Sequence, residues 1–348
     1  MIKYTTLGNL IAPAKVIRCG KGSFPVLSMT MHDGIVLQSE RFKKSLASID
    51  QSDYKVVKRG QLVVGFPIDE GVLYVQKAAD EGIMSPAYNV WDIDTEKVDA
   101  DFLELCLHSP QSMQYYKDKL RGTTARRRSI PTSDLLALKI RLPDMQTQRE
   151  AVAIIRKVEA ILNARQAQLD YFEQLVKSRF IELFGDPIDN TMGLKTMPLG
   201  EVCFLKAGIT TAADSIHEQS AVYPVPCYGG NGIRGYVKEA TQHGCYPIIG
   251  RQGALCGNVQ MATGEFHATE HAVLVTPLIE TNVVWLFHLL RMMDLYRFHT
   301  GAAQPGLAVK TLNTVDIPIA EIAVQNNFAA FVEQTDKSKL CGEMEVAA

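Results

Sequence analysis

The sequence predicts an α+β protein: two similar α/β domains separated by long helices that pair as an antiparallel coiled-coil spacer. Three observations predict it. First, the chain says nearly the same thing twice. Residues 140–155 run from a short apolar strand through a loop into an apolar helix, and residues 317–332 repeat the pattern without a gap at an offset of 177, placing Gln148 on Gln325. Upstream, Leu7-Gly8-Asn9 answers Leu199-Gly200-Glu201, and Val63-Val64-Gly65 answers Ile248-Ile249-Gly250. Solenoid periods run at roughly 20–50 residues, so a repeat this long marks a duplicated domain. Second, residues 146–184 contain no Gly or Pro and are rich in helix formers. Third, 348 residues exceed the size at which one hydrophobic core usually stops growing.

Residues 1–142 read as the first domain. Val56-Val57, Leu62–Gly65 and Val72–Val75 have strand character between Gly, Pro and Asp turns. A helix is predicted from Phe102 toward Tyr115-Tyr116, capped by Asp99 or Asp101. Residues 143–186 form the helical spacer, with Asp144 as N-cap and Gly185 followed by Pro187 as its stop. Ile155, Val158, Leu162, Arg165, Leu169, Phe172, Val176, Arg179 and Leu183 fall in alternating steps of three and four, a heptad seam holding two arginines. A long amphipathic packing helix gives the same pattern. Residues 187–318 form the second domain, with strands near Ile248-Ile249 and Ala272–Val275 and a helix across Val284–Arg297. Residues 319–348 begin a second helix at Gln325, and an antiparallel partner of that length would cover little more than half of the first.

Composition narrows the class. With 47% hydrophobic and 21% charged residues, the chain is expected to be soluble and globular. Seven cysteines, an odd number without a Cys-x-x-Cys pair, point to free thiols in a reducing compartment. Met1–Thr6 has no signal-peptide pattern, and no apolar run approaches the ~20 residues of a membrane span. A cytoplasmic protein is expected. The net charge is −2, yet residues 1–142 carry +4, much of it in Lys117, Lys119, Arg121, Arg126, Arg127 and Arg128. For phosphate contact such clustering matters more than the total.

Several motifs have two readings. Gly230–Gly235 satisfies Gly-x-Gly-x-x-Gly, but no helix start or βαβ unit follows, so a structural turn or a DNA-facing loop is favoured over a dinucleotide site. His267–His271 matches His-x-x-Glu-His. Thr269 and the run 272–275 argue for a strand, on which two His four apart share a face but sit too far apart for one metal. The Arg121–Ser129 run is a solvated loop, a phosphate anchor or a guanine reader. Its counterpart, Gly301–Gly306, offers Gln304, which suits adenine. Neither an adenine-methyltransferase Asn-Pro-Pro-Tyr type of motif nor a P-loop is present, so no chemistry is expected of this chain.

Together these features resemble the specificity subunit of a Type I restriction–modification system. The resemblance rests on Pro198–Glu201, the Tyr228-Gly229-Gly230-Asn231-Gly232 loop running to Tyr236, Ile248–Val259, Thr269–Val275 and the 317–332 junction. It implies two target recognition domains that each read half of a bipartite DNA target, and conserved helices that dock methyltransferase subunits. The implied DNA-contacting residues are Lys117, Lys119, Arg121, Arg126, Arg127, Arg128, Asn231, Arg234, Arg251, Gln252 and Gln304. Ile155, Val158, Leu162, Leu169, Phe172, Val176 and Leu183 would face partners. No cofactor is implied on this chain, with S-adenosylmethionine, ATP and Mg expected on the methyltransferase and motor–nuclease subunits. The first domain departs from the pattern, since near Phe24–Met29 it lacks the Tyr-Gly-x-x-Gly loop. The short second helix raises homodimerisation as a further partner arrangement. A nucleotide-cofactor enzyme using Gly230–Gly235, or an assembly scaffold that binds no DNA, are the alternatives.

Overall fold

The computed structural model describes residues 3–41, 50–120, 128–301 and 305–347, with residues 340–347 as backbone. They form two compact units, Met1–Asn163 and Ala164–Ala348, divided within the long helix.

In the first unit, Tyr4–Thr6 pairs antiparallel with Lys139–Arg141 and so joins the start of the domain to its end. The main sheet runs, in spatial order, Ile11–Pro13, Asn89–Ile93, Leu62–Val64 and Leu73–Val75, all antiparallel. Leu62, Leu73, Trp91, Leu103, Leu107 and Tyr116 fill the core between sheet and helices. The diverged region near Phe24–Met29 becomes a separate hairpin, Leu27–Met29 against Ile35–Leu37. The helix expected from Phe102 to Tyr116 is two helices, Ala100–Leu107 and Pro110–Lys119. Pro110 has no N–H to continue the first, and Ser109 caps the second from just outside it.

The second unit follows the same plan. Thr196–Pro198 pairs with Asp316–Pro318. The sheet runs Cys203–Ala207, Ala272–Pro277, Gln242–Gly250, Val259–Ala268, and the hairpin Val225–Gly229/Gly232–Val237 extends it. The helix expected across Val284–Arg297 spans Val283–Met292 only. Asp294, in the left-handed region at φ +46°, stops it before a single 3-10 turn, Leu295–Phe298.

The duplication reaches individual hydrogen bonds. Leu7 N–H donates to the Leu138 carbonyl at 2.8 Å, as Leu199 N–H does to Val315 at 2.8 Å; Leu142 donates to Lys3, and Ile319 to Lys195, both at 2.9 Å. Asp99 and Asn282 each cap the helix that follows by accepting two backbone N–H bonds. At the strand-to-helix junction both glutamines are buried, Gln148 at 0% exposure and Gln325 at 1%. The Gln148 side-chain carbonyl accepts from Asp99 N–H at 2.9 Å, and its amide donates to the Pro143 carbonyl at 2.9 Å. Gln325 accepts from Asn282 N–H at 2.9 Å and donates to the Ala320 carbonyl at 2.8 Å.

The long helix spans Met145–Phe184, roughly 60 Å at 1.5 Å per residue. Asp144 caps it by accepting from Thr147 N–H at 2.9 Å, and Gly185 ends it at φ +73°. The C-terminal helix, Ile322–Ala347, starts three residues before Gln325 because Glu321 already accepts the first helical bonds. Within the second unit it runs antiparallel to residues 164–184. Phe180 and Phe184 both meet Phe328 edge-on, Arg179 lies over the Phe331 ring at 5.8 Å, and Arg165 donates to the Lys339 carbonyl at 2.5 Å. Of the expected partner-facing positions, Val176 is buried and Leu183 partly buried in this chain's own core beside Trp285 and Phe328. Those two therefore face inward. Leu169 and Phe172 are half-buried, whereas Ile155, Val158 and Leu162 in the first unit are exposed, together with Ile154 and Ile161.

Two outcomes are expected. Replacing Gln148 or Gln325 by Ala strands buried backbone groups, and should cost roughly 1–3 kcal/mol for each group left unpaired; urea unfolding checks it, and a loss near zero would contradict the role. His288, packed against Phe328, has its pKa lowered from 6.5 to about 4, by burial first and then by Arg291 and Lys339 against the opposing pull of Asp336. The unfolded chain therefore binds the extra proton between those values, so the second unit loses stability as pH falls from about 6.5 toward 4. His288→Phe should flatten that slope in a thermal-unfolding series.

Candidate nucleic-acid interface

In the second unit, three loops converge at the end of the sheet. Gly230 and Gly250 touch backbone to backbone: a Cβ on Gly250 would lie 2.1 Å from the Gly230 oxygen. Arg251 is held on both sides, its N–H donating to the His271 carbonyl at 3.1 Å and its own carbonyl accepting from Leu307 N–H at 2.8 Å. Gly253 N–H donates to the Pro305 carbonyl at 2.9 Å, fastening the end of the Gly301–Gly306 loop to the same place. Asn231 accepts from the Asn258 amide across this contact. The predicted residues Asn231, Arg251 and Gln252 are thus brought together, with Arg234 nearby on the exposed strand Gly232–Val237. The Arg251 Nε is buried and has no partner among the described residues. Gln304 lies outside the described residues.

The Gly230–Gly235 segment is the turn and second strand of a hairpin, so a strand follows where a dinucleotide site needs a helix N-terminus. His267 ends one strand and His271 sits in the turn before the next, so the two do not share a strand face as expected. His267 lies between the hydroxyls of Thr211 at 2.8 Å and Thr241 at 3.1 Å, and burial lowers its pKa. His271 pairs with Glu270 at 3.2 Å. Burial raises the Glu270 pKa, but backbone N–H bonds, including that of Thr211, and the charges of His271 and Arg234 outweigh it and hold the carboxyl low. Among the described residues no three His, Cys, Asp or Glu side chains gather as a metal site.

The first unit has the same loop pair. Ile68 N–H donates to the Arg128 carbonyl at 3.0 Å, the counterpart of the Gly253–Pro305 bond. Arg128 is gripped by two carboxylates that sequence reasoning passed over, Asp69 at 3.0 Å and Glu70. Nothing in the sequence pairs residues 59 positions apart, whereas the matching strand ends Val63-Val64-Gly65 and Ile248-Ile249-Gly250 marked the place. Lys117 and Lys119 are exposed on the last turn of Pro110–Lys119, the helix that packs against Ile68–Glu70. Arg121, Arg126 and Arg127 lie outside the described residues.

Known proteins resemble this chain as follows. Residues 192–341 match the Type I restriction modification DNA specificity domain. The Escherichia coli EcoprrI Type I restriction enzyme specificity subunit is 39% identical over 204 residues, 54% of this chain and 48% of that protein. A putative Type I specificity subunit of Haemophilus influenzae is 29% identical over 112 residues, 31% of this chain and 29% of that one. The chain therefore matches less than half the length of these relatives. In fold, it is similar to the Type I restriction–modification S subunit from M. genitalium, with TM-score 0.62 and 16% identity, covering 100% of this chain and 92% of that one. A chain from a structure of the assembly and conformational transition of the Type I system gives TM-score 0.55 at 18% identity, covering 99% and 93%. No helix among the described residues is long and apolar enough to cross a membrane.

The Gly230–Gly250 contact has a direct test. Gly250→Ala places a methyl inside the Gly230 carbonyl and should cost roughly 1–3 kcal/mol by forcing the loops apart. Hydrogen exchange should speed up at residues 229–232 and 250–253, and unchanged protection there would contradict it.

Proposed function

We propose, from the match of residues 192–341 and the 39% identity to a specificity subunit, that the chain is a Type I restriction–modification specificity subunit, the DNA-reading, non-catalytic member of a methyltransferase and endonuclease complex in the cytoplasm. Each domain reads one half of a bipartite target in the major groove. Lys/Arg contacts to phosphates fix register, and loop side chains read base edges. One observation carries the reading: two units that share a four-strand sheet order pin the same pair of loops with the same backbone bond, yet dress those loops with different side chains. A protein that must read two different half-sites on one scaffold needs that combination.

The helices dock methyltransferase subunits. The exposed face Ile154, Ile155, Val158, Ile161 and Leu162 supports this, being too apolar and too continuous for a solvated helix surface. S-adenosylmethionine, ATP and Mg belong to those partners and to motor–nuclease subunits, because the loops that would bind them are missing from this sequence. A second copy of this chain on the same helix face is the alternative partner. Near-neutral charge, −2 overall, fits a chain that shares its grip on DNA with its partners.

The test is to co-express the chain with a cognate methyltransferase subunit and map methylated sites genome-wide by single-molecule sequencing. A split motif with a fixed gap is expected. Grafting residues 251–257 of the second domain onto positions 66–70 of the first should alter one half of the motif only. A palindromic motif would assign the helix face to a second copy. No motif with partner binding intact would sink the DNA-reading role.

A further inference from the structure

We propose that Arg128 reads a guanine in the half-site of the first domain, and that Asp69 and Glu70 are positioning residues that present its guanidinium. The inference rests on the DNA-reading role proposed above and adds the base and the residues that select it. Three observations carry it.

The place is that of a reading loop in both units. Ile68 N–H to the Arg128 carbonyl, 3.0 Å, and Gly253 N–H to the Pro305 carbonyl, 2.9 Å, fasten equivalent loops at equivalent positions. The chemistry differs. Where the second domain has Ala254, Leu255 and Pro305, the first has Asp69, Glu70 and Arg128. The clamp exists in one domain only.

Among the described residues, the useful edge of the fork has no partner. Arg128 Nε donates to Asp69 at 3.0 Å and Nη2 donates to Glu70. That occupies two of the five guanidinium N–H donors and leaves three, one on Nη2 and two on Nη1, and the Nη1–Nη2 edge matches guanine N7 and O6. Asp69 is shielded at 11% side-chain exposure, while Arg128 keeps 30%. A carboxylate behind and a guanidinium in front form a buttress, and the held side chain loses little further freedom on binding. A cleft of about 260 Å³, lined by Gly65, Phe66, Asn89, Ser129 and Thr132 among others, opens beside it.

Electrostatics separates a base from a phosphate. Asp69 and Glu70 together offset the single positive charge of Arg128, so its guanidinium draws a phosphate less than an unpaired cation would. A guanine edge is neutral and needs only the two donors.

The test uses the complex with a methyltransferase subunit and the variants Arg128→Lys and Asp69→Asn. Lysine keeps the charge near Asp69 and Glu70 but has no fork. Methylation is measured on duplexes carrying each base at every position of the wild-type motif, beside thermal unfolding of each variant. The expected result is loss of guanine preference at one position of one half-site, roughly 5- to 150-fold, in Arg128→Lys. Asp69→Asn should relax the same position partially, and the other half-site should be unchanged, with unfolding midpoints close to wild type. A guanine preference retained at every position by Arg128→Lys would overturn the assignment while leaving the split-motif reading intact. Loss of a whole half-site together with a lowered midpoint would also overturn it, making the clamp a fastening of the loop alone. A wild-type complex that methylates no split motif would overturn both readings.

Discussion

A buried glutamine at each strand-to-helix junction holds the architecture together. Gln148 and Gln325 sit where the last strand of a domain turns into a helix, and each satisfies two backbone groups that the turn would otherwise leave unpaired. One is the N–H of a helix N-cap residue, Asp99 or Asn282, so the bond ties the domain's capped helix to the helix leaving it. A buried amide with both ends satisfied is rigid, because releasing either end leaves an uncompensated polar group in a dry place. The direction in which each helix departs is thereby fixed to its own domain. Around this point, the pairing of first and last strands and the Leu7–Leu138 and Leu199–Val315 bonds repeat in both halves.

That scaffold separates stability from selection. The shared bonds are backbone-to-backbone or involve the buried glutamines, so they leave side chains on the adjoining loops free to vary. The two halves have used that freedom in opposite ways. The first domain places an ion-paired cluster beside its cleft, the second a glycine-rich contact with amides and an Arg251 Nε that has no partner among the described residues. Asp69 is shielded while Arg128 keeps an exposed edge, so the clamp holds the guanidinium in one orientation, as the guanine contact proposed above requires.

The sequence was most legible where it repeated. The helix limits at Asp144 and Gly185 rest on local hydrogen-bonding and φ requirements, while the Gln148–Gln325 alignment and the Gly65 and Gly250 strand ends were visible because the sequence repeats them. Pro110 was equally visible and should have split the first predicted helix; Asp294 was not, because an aspartate announces a left-handed turn far more weakly than glycine does. The sheet order and the pairing of Arg128 with Asp69 depend on contacts made across long separations, and no local pattern encodes them. The seam was only half legible. Its heptad spacing put Val176 and Phe172 on one face, and Val176 is buried in this chain's own core, but spacing says nothing about which chain covers that face.

The division along the long helix follows from that last point. Its second half meets the C-terminal helix of the same chain, and Phe180, Phe184 and Phe328 close a core there. Its first half carries five exposed aliphatic residues on one face, each worth roughly 1.5–3 kcal/mol if fully buried. A helix that displayed them permanently to water would gain nothing from them over alanine, whose helix propensity is higher. The same stripe continues the register of the seam that is covered further along. The stripe therefore marks the length of helix that the described residues leave uncovered, and it is there that the docking partner proposed above would bury apolar surface.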